Sequence, residues 1–497
     1  AGNRLPLYND LPKFNADELA RQFNVTAKHS IEKMAAAYHD AFLTVSDITA
    51  NECKYLLGRE PDGVTPNGFE NDFVWAGEEY YAKRDEARRA MISVAEACLG
   101  EKFTGDPLIV GTSGRYEFRN KGIDVFIESL KQLAASDRLR REVLAYITVP
   151  AGNRGPRLDL QAHLADPSKP IDAGQYRHST HYLENATWDP IVNALKNSNL
   201  TDPGSKVKVI FVPTYLNKAD GIFNKDYYEL LVGMDITVFP SYYEPWGYTP
   251  LESVAFSIPT VTTTLAGFGI WVDKQREHAG VEVIRRDDYN DKEVEAKIAD
   301  TLLRFSLLDE KHVNEQHTSA YEISLTALWE HLFAAYEQAY SEAVESSIVR
   351  TNRAVLDGGT KTEQINFVRQ QLFVEKPVWN RMMVDKTLPK RLHALEELSR
   401  NLWWCWNPGA RDLFEGIDPA LWAESDRNPI AFLDKMSVER MKELEKDTNF
   451  LAQLDAVHTQ FRDYMNEKPD PKATTVSYFS MEYGLHSSLK IYSGGLG

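Results

Sequence analysis

The chain has 497 residues, of which 43% are hydrophobic and 26% are charged, a composition typical of soluble globular domains. At about 150 residues per domain, this length predicts about three domains and excludes a small single-site peptide module. The acidic residues outnumber Lys and Arg by 73 to 56, which gives a net charge of −17. Because that charge repels a phosphate backbone, we expect no nucleic-acid partner. No apolar run is long enough to predict a membrane span.

Three cysteines, Cys53, Cys98 and Cys405, are scattered along the sequence. Their odd number and their lack of metal-ligand spacing predict reduced thiols in a cytoplasmic protein, with no bound metal. The end residues Ala1 and Gly497 are not typical of natural termini. We therefore expect the chain to be an internal piece of a longer protein.

The region from Pro107 to Val272 alternates short apolar runs with amphipathic stretches, which is typical of strand–helix units on a parallel sheet. The predicted strands are 108–112, 143–149, 207–212, 236–239 and 260–264. Apolar residues at helical spacing from Ile123 to Leu133 predict a helix between the first two strands. The predicted fold class is therefore α/β, a Rossmann-like domain whose parallel sheet carries helices on both faces.

Less regular segments separate and follow these units. Residues 151–199 have weak periodicity and read as a long insertion of the kind that often forms a functional lid. Apolar spacing predicts a helix over 294–305, and the aromatic residues from Trp329 to Tyr340 recur at the helical period and predict a packing seam. We place a linker at 351–389. Beyond it, Leu392, Leu395 and Leu398, with Leu402, predict a small all-α domain, and 475–479 reads as a new strand.

The first candidate site lies between Gly114 and Gly122, directly after a predicted strand. Ligands of open parallel sheets bind at this edge of the sheet. Arg115 and Lys121 can converge there on an anion near the start of the next helix. The alternative is that both are solvated surface cations.

The second candidate site, 241–252, follows the strand that ends at Phe239. Thr249 before Pro250 predicts an N-cap and a helix N-terminus that can hold phosphate. Glu244 lies just before it, where a carboxylate can face a cationic reacting centre. Glu252 can contact a ligand, or it can complete a capping box with Thr249.

Two aromatic residues and two glycines complete this edge. Trp246 and Tyr248 can stack on a base or a sugar, or they can pack against the sheet. Gly267 and Gly269 follow the strand that ends near Thr264, and they allow the backbone to approach a ligand closely. A Gly-x-Gly pair alone is weak evidence and gains weight only from its position.

Residues 1 to about 345 resemble the family 3 glycosyltransferases, the eukaryotic-type glycogen synthases. The resemblance rests on Thr-Val-Ser-x-Ile-Thr, Val-Thr-Pro-Asn-Gly, Gly-Arg-Tyr-Glu-Phe-x-Asn-Lys-Gly and Phe-Pro-Ser-Tyr-Tyr-Glu-Pro-Trp-Gly-Tyr-Thr-Pro, which stand here at 44–49, 64–68, 114–122 and 239–250. It implies the GT-B architecture of two Rossmann-like domains around a cleft. It also implies transfer of glucose from UDP-glucose to the 4-hydroxyl of an α-1,4-glucan, with retention of configuration.

The same resemblance implies roles for individual residues. Glu244 and Glu252 become the catalytic acids, while Arg115 and Lys121 neutralise the leaving diphosphate. The residues then expected to bind the nucleotide sugar are Tyr248, Thr249, Trp246, Gly267 and Gly269. No metal or resident cofactor is implied in this segment.

Two departures from the family pattern limit the resemblance. The stretch 306–323 contains no arginine, whereas eukaryotic members carry an arginine-rich helix there that binds glucose 6-phosphate. We therefore expect no activation by that sugar phosphate. The family's glycine-rich donor loop and its active-site histidine are expected before Ala1, so this chain alone should bind UDP weakly and catalyse little.

From about Leu388 onward the sequence resembles a different family, the bacterial α-glucan phosphorylases. The matching stretches are 398–408, 478–486 and 492–497, and they contain Trp403, Trp404 and Trp406, which we expect to be core residues rather than sugar-stacking platforms. Gly494, Gly495 and Gly497 resemble that family's phosphate loop. Its pyridoxal phosphate would be bound only by a domain further downstream.

Together these observations predict a glycogen synthase fused to an α-glucan phosphorylase. The predicted parts are the end of the synthase N-terminal domain (1–67), its nucleotide-sugar domain (68–350), a linker (351–389), a helical phosphorylase domain (390–468) and the start of an α/β catalytic domain (469–497). The expected partners are glycogen and UDP-glucose or ADP-glucose, with neither nucleic acid nor a membrane. Two alternatives remain open. In the first, phosphorolysis is the main activity of the fused protein and the synthase half is regulatory. In the second, the synthase half is a non-catalytic glucan-binding module.

Overall fold

The computed structural model describes residues 6–171, 174–202, 204–275, 279–356 and 388–468. The chain divides into two units, Ala1–Val368 and Arg369–Gly497. Across the described ranges, every helix is too short or too polar to cross a membrane.

A six-stranded parallel sheet organises the first unit. In chain order the strands of this unit are β1 (Leu43–Thr44), β2 (Gly63–Val64), β3 (Leu108–Ser113), β4 (Val143–Thr148), β5 (Asn153–Pro156), β6 (His181–Leu183), β7 (Val207–Phe211), β8 (Ile236–Val238), β9 (Thr260–Thr263) and β10 (Val281–Ile284). The large sheet has the order β10-β9-β8-β3-β4-β7. All of its pairs are parallel, with Leu108 opposite Val143 and Val143 opposite Val207. Strands β1 and β2 form a separate parallel pair, and β5 and β6 form an antiparallel pair.

Helices cover both faces of the large sheet. Those of the first unit are α1 (Ala16–Gln22), α2 (Thr26–Tyr38), α3 (Asp47–Leu56), α4 (Gly77–Leu99), α5 (Ile123–Ala134), α6 (Leu158–Ala165), α7 (Pro190–Lys196), α8 (Tyr227–Leu231), α9 (Tyr248–Ala255), α10 (Gly267–Asp273), α11 (Asp291–Ser306), α12 (Glu310–Thr326) and α13 (Trp329–Leu356). Leu108 and Val110 of β3 pack with α5, α7 and α11. Ile109, between them, points to the opposite face and packs with α4 and α8. This alternation is the period of a strand buried on both sides.

The predicted α/β class is confirmed by this sheet. All five predicted strands are present, and each predicted end lies within one residue of the observed end. The predicted helices over 123–133 and 294–305 correspond to α5 and α11. The sequence analysis missed β10, a short edge strand in which Glu282 is exposed, because half-polar edge strands lack a continuous apolar run.

The predicted insertion 151–199 contains α6, α7 and the β5–β6 pair. Its anchor is Arg157, whose side chain is fully buried. The guanidinium donates to the backbone oxygens of Tyr176 and Ser179 at 2.9 and 3.1 Å, and it pairs with Asp159 at 2.6 Å. These contacts connect the start of the insertion with its middle, and a lid function stays a prediction.

The aromatic residues of α13 form the predicted packing seam only in part. The rings of Trp329 and Tyr336 meet edge to face at 5.6 Å, and the Tyr336 hydroxyl donates to the backbone oxygen of Thr65. Phe333 and Tyr340 remain half exposed. Helix α13 extends to Leu356, into the predicted linker, whose residues 357–387 lie outside the described ranges.

The second unit is helical over its described residues. Its helices are α14 (His393–Ser399), α15 (Trp403–Trp406), α16 (Pro408–Ile417), α17 (Pro419–Glu424), α18 (Pro429–Lys435), α19 (Val438–Leu444) and α20 (Thr448–Asn466). Trp403 and Trp404 are core residues as predicted, whereas Trp406 is half exposed. Leu402 is 39% exposed and lies after the end of α14, so its predicted place in the apolar helix face is wrong. The predicted strand 475–479 lies outside the described ranges.

Candidate active site

Three loops meet at the carboxyl edge of the large sheet, after β3, β8 and β9. The backbone N–H groups of Tyr242 and Tyr243 both donate to the backbone oxygen of Asn120, at 2.8 and 3.3 Å. The Glu244 N–H donates to the backbone oxygen of Leu265, and the Gly267 N–H donates to the backbone oxygen of Glu244 at 3.0 Å. Backbone hydrogen bonds to the loops after β3 and β9 therefore hold the loop that carries Glu244 and fix the position of its backbone.

Lys121 and Glu244 form an ion pair across two of these loops. Their side chains are 14% and 17% exposed, so both charges lie at the rim of the protein interior. The Coulomb attraction is stronger there than between fully hydrated charges. The structure thus brings together two of the predicted site residues, which are 123 positions apart in sequence.

Arg115 does not join this pair. Its side chain is 68% exposed and its guanidinium contacts Glu117 at 3.2 Å. It lines a cavity of about 690 Å³ together with Tyr243, Glu117 and Glu52, with apolar residues of α1 and α3, and with charged and polar residues of α2. The predicted convergence of Arg115 and Lys121 on one point is not observed, because Glu117 and Glu244 each engage one of the cations.

Glu52 supplies a second carboxylate to that cavity. The Tyr8 hydroxyl donates to it at 2.8 Å. Burial raises the pKa of Glu52, and the hydrogen bond from Tyr8 partly opposes that shift. The sequence analysis did not single out Glu52, because α3 and the β3 loop come together only in the fold.

Helix α9 begins two residues earlier than predicted, and its first turn is built differently. Its N-cap is Gly247, with φ of 114°, a conformation that favours glycine. Thr249 therefore lies within the first turn and is not the cap. The helix start has no side-chain capping hydrogen bond, so the predicted capping box of Thr249 with Glu252 is wrong.

Glu252 instead faces α8. The Tyr228 hydroxyl donates to Glu252 Oε1 at 3.0 Å. Burial raises the pKa of Glu252 to about 7, although the hydrogen bond from Tyr228 favours the ionised form and acts in the opposite direction. Because Glu252 does not cap α9, its carboxylate is available to a ligand.

Trp246 is a packing residue. Its side chain is only 3% exposed, and its ring contacts those of Phe268 and Trp271 at 6.1 and 6.0 Å. Neither ring face is free for a base or a sugar, which corrects the predicted binding role. Tyr248 is 40% exposed at the start of α9, and its contact with a nucleotide stays a prediction.

Gly267 and Gly269 are required by the protein's own backbone. A Cβ atom on Gly267 would overlap the backbone oxygen of Pro245, and one on Gly269 would overlap the backbone oxygen of Thr263. The close approach predicted for a ligand is thus made by neighbouring loops. Gly267 therefore allows the Glu244 loop to approach α10, and Gly269 allows α10 to approach the end of β9.

Arg286, which the sequence analysis did not single out, supports the same loop from the β10 side. Its buried guanidinium donates to the backbone oxygen of Pro240 and lies 5.6 Å from the centre of the Tyr242 ring. The Tyr242 hydroxyl donates to Asp288. No local sequence pattern marks this contact, because Arg286 and Pro240 are 46 residues apart.

The fold and the site define a Rossmann-like α/β protein with a pair of charged side chains at the carboxyl edge of its sheet, where ligands of such sheets bind. The glycogen synthase family model matches residues 1–159 and 177–398, which is more than half of the chain. The chain therefore belongs to the glycogen synthase family.

Individual relatives agree with this membership. Glycogen (starch) synthase of Neurospora crassa is 31% identical over 56% of this chain and 48% of its own length. Glycogen (starch) synthase isoform 1 of Saccharomyces cerevisiae is 26% identical over 73% of this chain and 62% of its own length. The liver enzyme of Rattus norvegicus is 29% identical over 54% of this chain and 46% of its own length. The chain thus spans about half to three fifths of these relatives.

Among solved structures, sucrose-phosphate synthase from Thermosynechococcus elongatus superimposes with a TM-score of 0.37 and 14% identity, over 64% of this chain and 62% of that chain. A second family model, described as a protein of unknown function (DUF3417), matches residues 388–489. The predicted relation of this region to α-glucan phosphorylases therefore stays a prediction. Gly494, Gly495 and Gly497 lie outside the described ranges.

Proposed function

We propose that the protein is a retaining glycosyltransferase of the glycogen synthase type, which transfers glucose from UDP-glucose to the 4-hydroxyl of an α-1,4-glucan end. The observation that carries the proposal is the Lys121–Glu244 pair at the carboxyl edge of the sheet. A cation and a carboxylate side by side suit a reaction in which one part of the donor becomes more negative while its neighbour becomes more positive.

In this proposal Lys121 acts on the leaving group. As the bond between the glucose anomeric carbon and the diphosphate oxygen breaks, negative charge develops on the diphosphate. A lysine ammonium in a partly dehydrated site stabilises that charge. Its side chain is only 14% exposed, so bulk water screens it weakly.

Glu244 acts on the sugar. The anomeric carbon gains positive character as the diphosphate leaves, and a carboxylate close to it stabilises an oxocarbenium-like state. The acceptor 4-hydroxyl then bonds to the same carbon, and its proton passes to the oxygen of the departing diphosphate. The backbone hydrogen bonds at Leu265 and Gly267 keep the Glu244 loop in place.

The remaining predicted contacts lie on α9. Tyr248 at its first position is exposed enough to lie against a nucleotide. Thr249 follows it in the first turn, and Glu252 belongs to the next turn. Arg115 lines the neighbouring cavity and can meet the diphosphate by a side-chain movement. The cysteines Cys53, Cys98 and Cys405 are free, which supports the proposed cytoplasmic location.

The test combines binding and transfer. Calorimetry measures UDP-glucose binding by the chain, and a labelled donor measures glucose transfer to glycogen by the full-length protein. We expect Glu244→Gln to abolish transfer and Lys121→Met to weaken donor binding. Glu128→Gln, which changes a partly exposed carboxylate on α5, is the matched control. Transfer at the wild-type rate by Glu244→Gln would refute the catalytic assignment.

The same experiment separates the proposed transferase from a glucan-binding module, and UDP-glucose from ADP-glucose as the donor. Binding of glycogen without binding of UDP-glucose would favour a glucan-binding module. Competition between UDP-glucose and ADP-glucose identifies the nucleotide, since both donors share the diphosphate and the glucose.

A further inference from the structure

The carboxylate of Glu252 lies between α9 and α8 with one direct hydrogen bond. Tyr228 donates to its Oε1 atom at 3.0 Å. Within the described ranges its Oε2 atom accepts no hydrogen bond, and neither oxygen belongs to an ion pair. One oxygen is therefore held by the protein while the other is available to a ligand.

The Tyr228 ring is itself held in place. It stacks on Phe256 with ring centres 5.3 Å apart and an angle of 21°, and it contacts Phe73 at 5.0 Å. Helix α8 begins with a capping box between Asp226 and Glu229, on either side of Tyr228. The direction of the tyrosine hydroxyl is thus set by packing and by the helix start together.

The neighbouring charges are engaged elsewhere. On α4, Lys83 pairs with Glu229 at 3.3 Å. On α8, the Tyr227 hydroxyl hydrogen-bonds to Ser113 at 2.7 Å, and the charge of Glu252 acts on Tyr227 and on Tyr248 of α9. The groups that face Glu252 are therefore three tyrosines, of which Tyr228 alone donates to it among the described residues.

We propose that Tyr228 is a positioning residue that fixes Oε1 of Glu252 and thereby presents Oε2 to a hydroxyl group of the bound sugar nucleotide. This inference rests on the proposed function, because it assigns the ligand of Glu252 to the donor substrate. The ligand hydroxyl donates to the carboxylate, so the ionised form of Glu252 is the binding form.

The arrangement makes donor binding depend on pH. Glu252 has a pKa near 7, and its ionised form is favoured by the hydrogen bond from Tyr228. UDP-glucose affinity should therefore rise as the pH increases through about 7. Loss of the tyrosine hydroxyl removes a contact that favours the ionised form, and the midpoint should move to higher pH.

The experiment is calorimetric titration of the chain with UDP-glucose between pH 5.5 and 8.5. UDP-glucose is the suitable probe because both of its phosphates are esterified, so that neither of them titrates in this pH range. For Tyr228→Phe we expect the midpoint of the affinity profile to rise by about 0.5 to 1 pH unit, the shift that corresponds to one net hydrogen bond. For Glu252→Gln we expect the profile to become flat over this range.

The matched control is Tyr80→Phe. Tyr80 donates to the backbone oxygen of Phe256 at 3.2 Å and does not touch Glu252. A profile shift in both tyrosine variants, or in neither, would overturn the inference, and so would an unchanged pH profile in Glu252→Gln. Failure of the wild-type chain to bind UDP-glucose at any pH would instead refute the proposed function.

Discussion

The replacement of Glu252 by Gln should stabilise the protein above neutral pH. Burial raises the pKa of Glu252 from 4.5 to about 7 in the folded protein. Between these two values the folded state holds a proton that the unfolded state has lost. The wild-type protein therefore loses stability as the pH rises from about 4.5 through 7, and it stays at the lower value above that. A glutamine does not titrate and avoids this loss.

The size of the effect follows from the two pKa values. A difference of about 2.5 pH units corresponds to about 3 kcal/mol at 1.36 kcal/mol per unit. This figure is an upper bound, since a glutamine at 252 also has to place an amide group between α8 and α9. Its oxygen can still accept the hydrogen bond from Tyr228. We expect the variant to gain about 1 to 3 kcal/mol at pH 8 relative to wild type, and little or nothing at pH 5.

Urea unfolding at pH 5 and pH 8 measures this difference for both proteins. Groups that titrate equally in the two proteins, such as Asp124 with its pKa raised to about 6 by burial, cancel in the comparison. The control variant Glu128→Gln should have the same free energy of unfolding as the wild type at both pH values. A wild-type protein and a Glu252→Gln variant that differ equally at pH 5 and pH 8 would refute the reasoning.

Three further substitutions test other parts of the structure. Lys121→Met leaves the Glu244 carboxylate without its cation, and urea unfolding should show a loss of about 1 to 3 kcal/mol. Gly267→Ala forces a methyl group against the Pro245 backbone, and we expect a lower melting temperature together with weaker UDP-glucose binding. Phe414→Ala removes a fully buried ring stacked on Trp422, and helical circular dichroism during urea unfolding should show a loss of about 3 to 5 kcal/mol.

The central sheet was predictable because its strands are continuous apolar runs. Val143 to Thr148 are buried on both faces, so that local composition alone marks β4. The site followed from one topological rule, that loops at the carboxyl ends of parallel strands meet. This rule placed Lys121 and Glu244 at the same edge, and the structure pairs them.

The failures arose where a local rule competed with tertiary contacts. Thr249 before Pro250 is a good capping sequence, but Gly247 adopts a positive φ and starts the helix earlier. The sequence allowed Trp246 either to stack on a ligand or to pack against the sheet. Its ring packs against those of Phe268 and Trp271. Tyr228 and Arg286 were missed because their partners lie 24 and 46 residues away, and no periodicity relates them.

The Lys121–Glu244 pair has a consequence for the order of events at the proposed site. In the free protein each charge satisfies the other, so neither is an isolated buried ion, which would be costly. A diphosphate that binds at the sheet edge competes with Glu244 for the lysine. As Lys121 turns toward the more strongly charged group, Glu244 loses its partner, and its carboxylate becomes available to the sugar. The carboxylate of Glu244 would then be unpaired next to the anomeric carbon only when the donor is bound. In the free protein its ion pair with Lys121 keeps both groups at low energy.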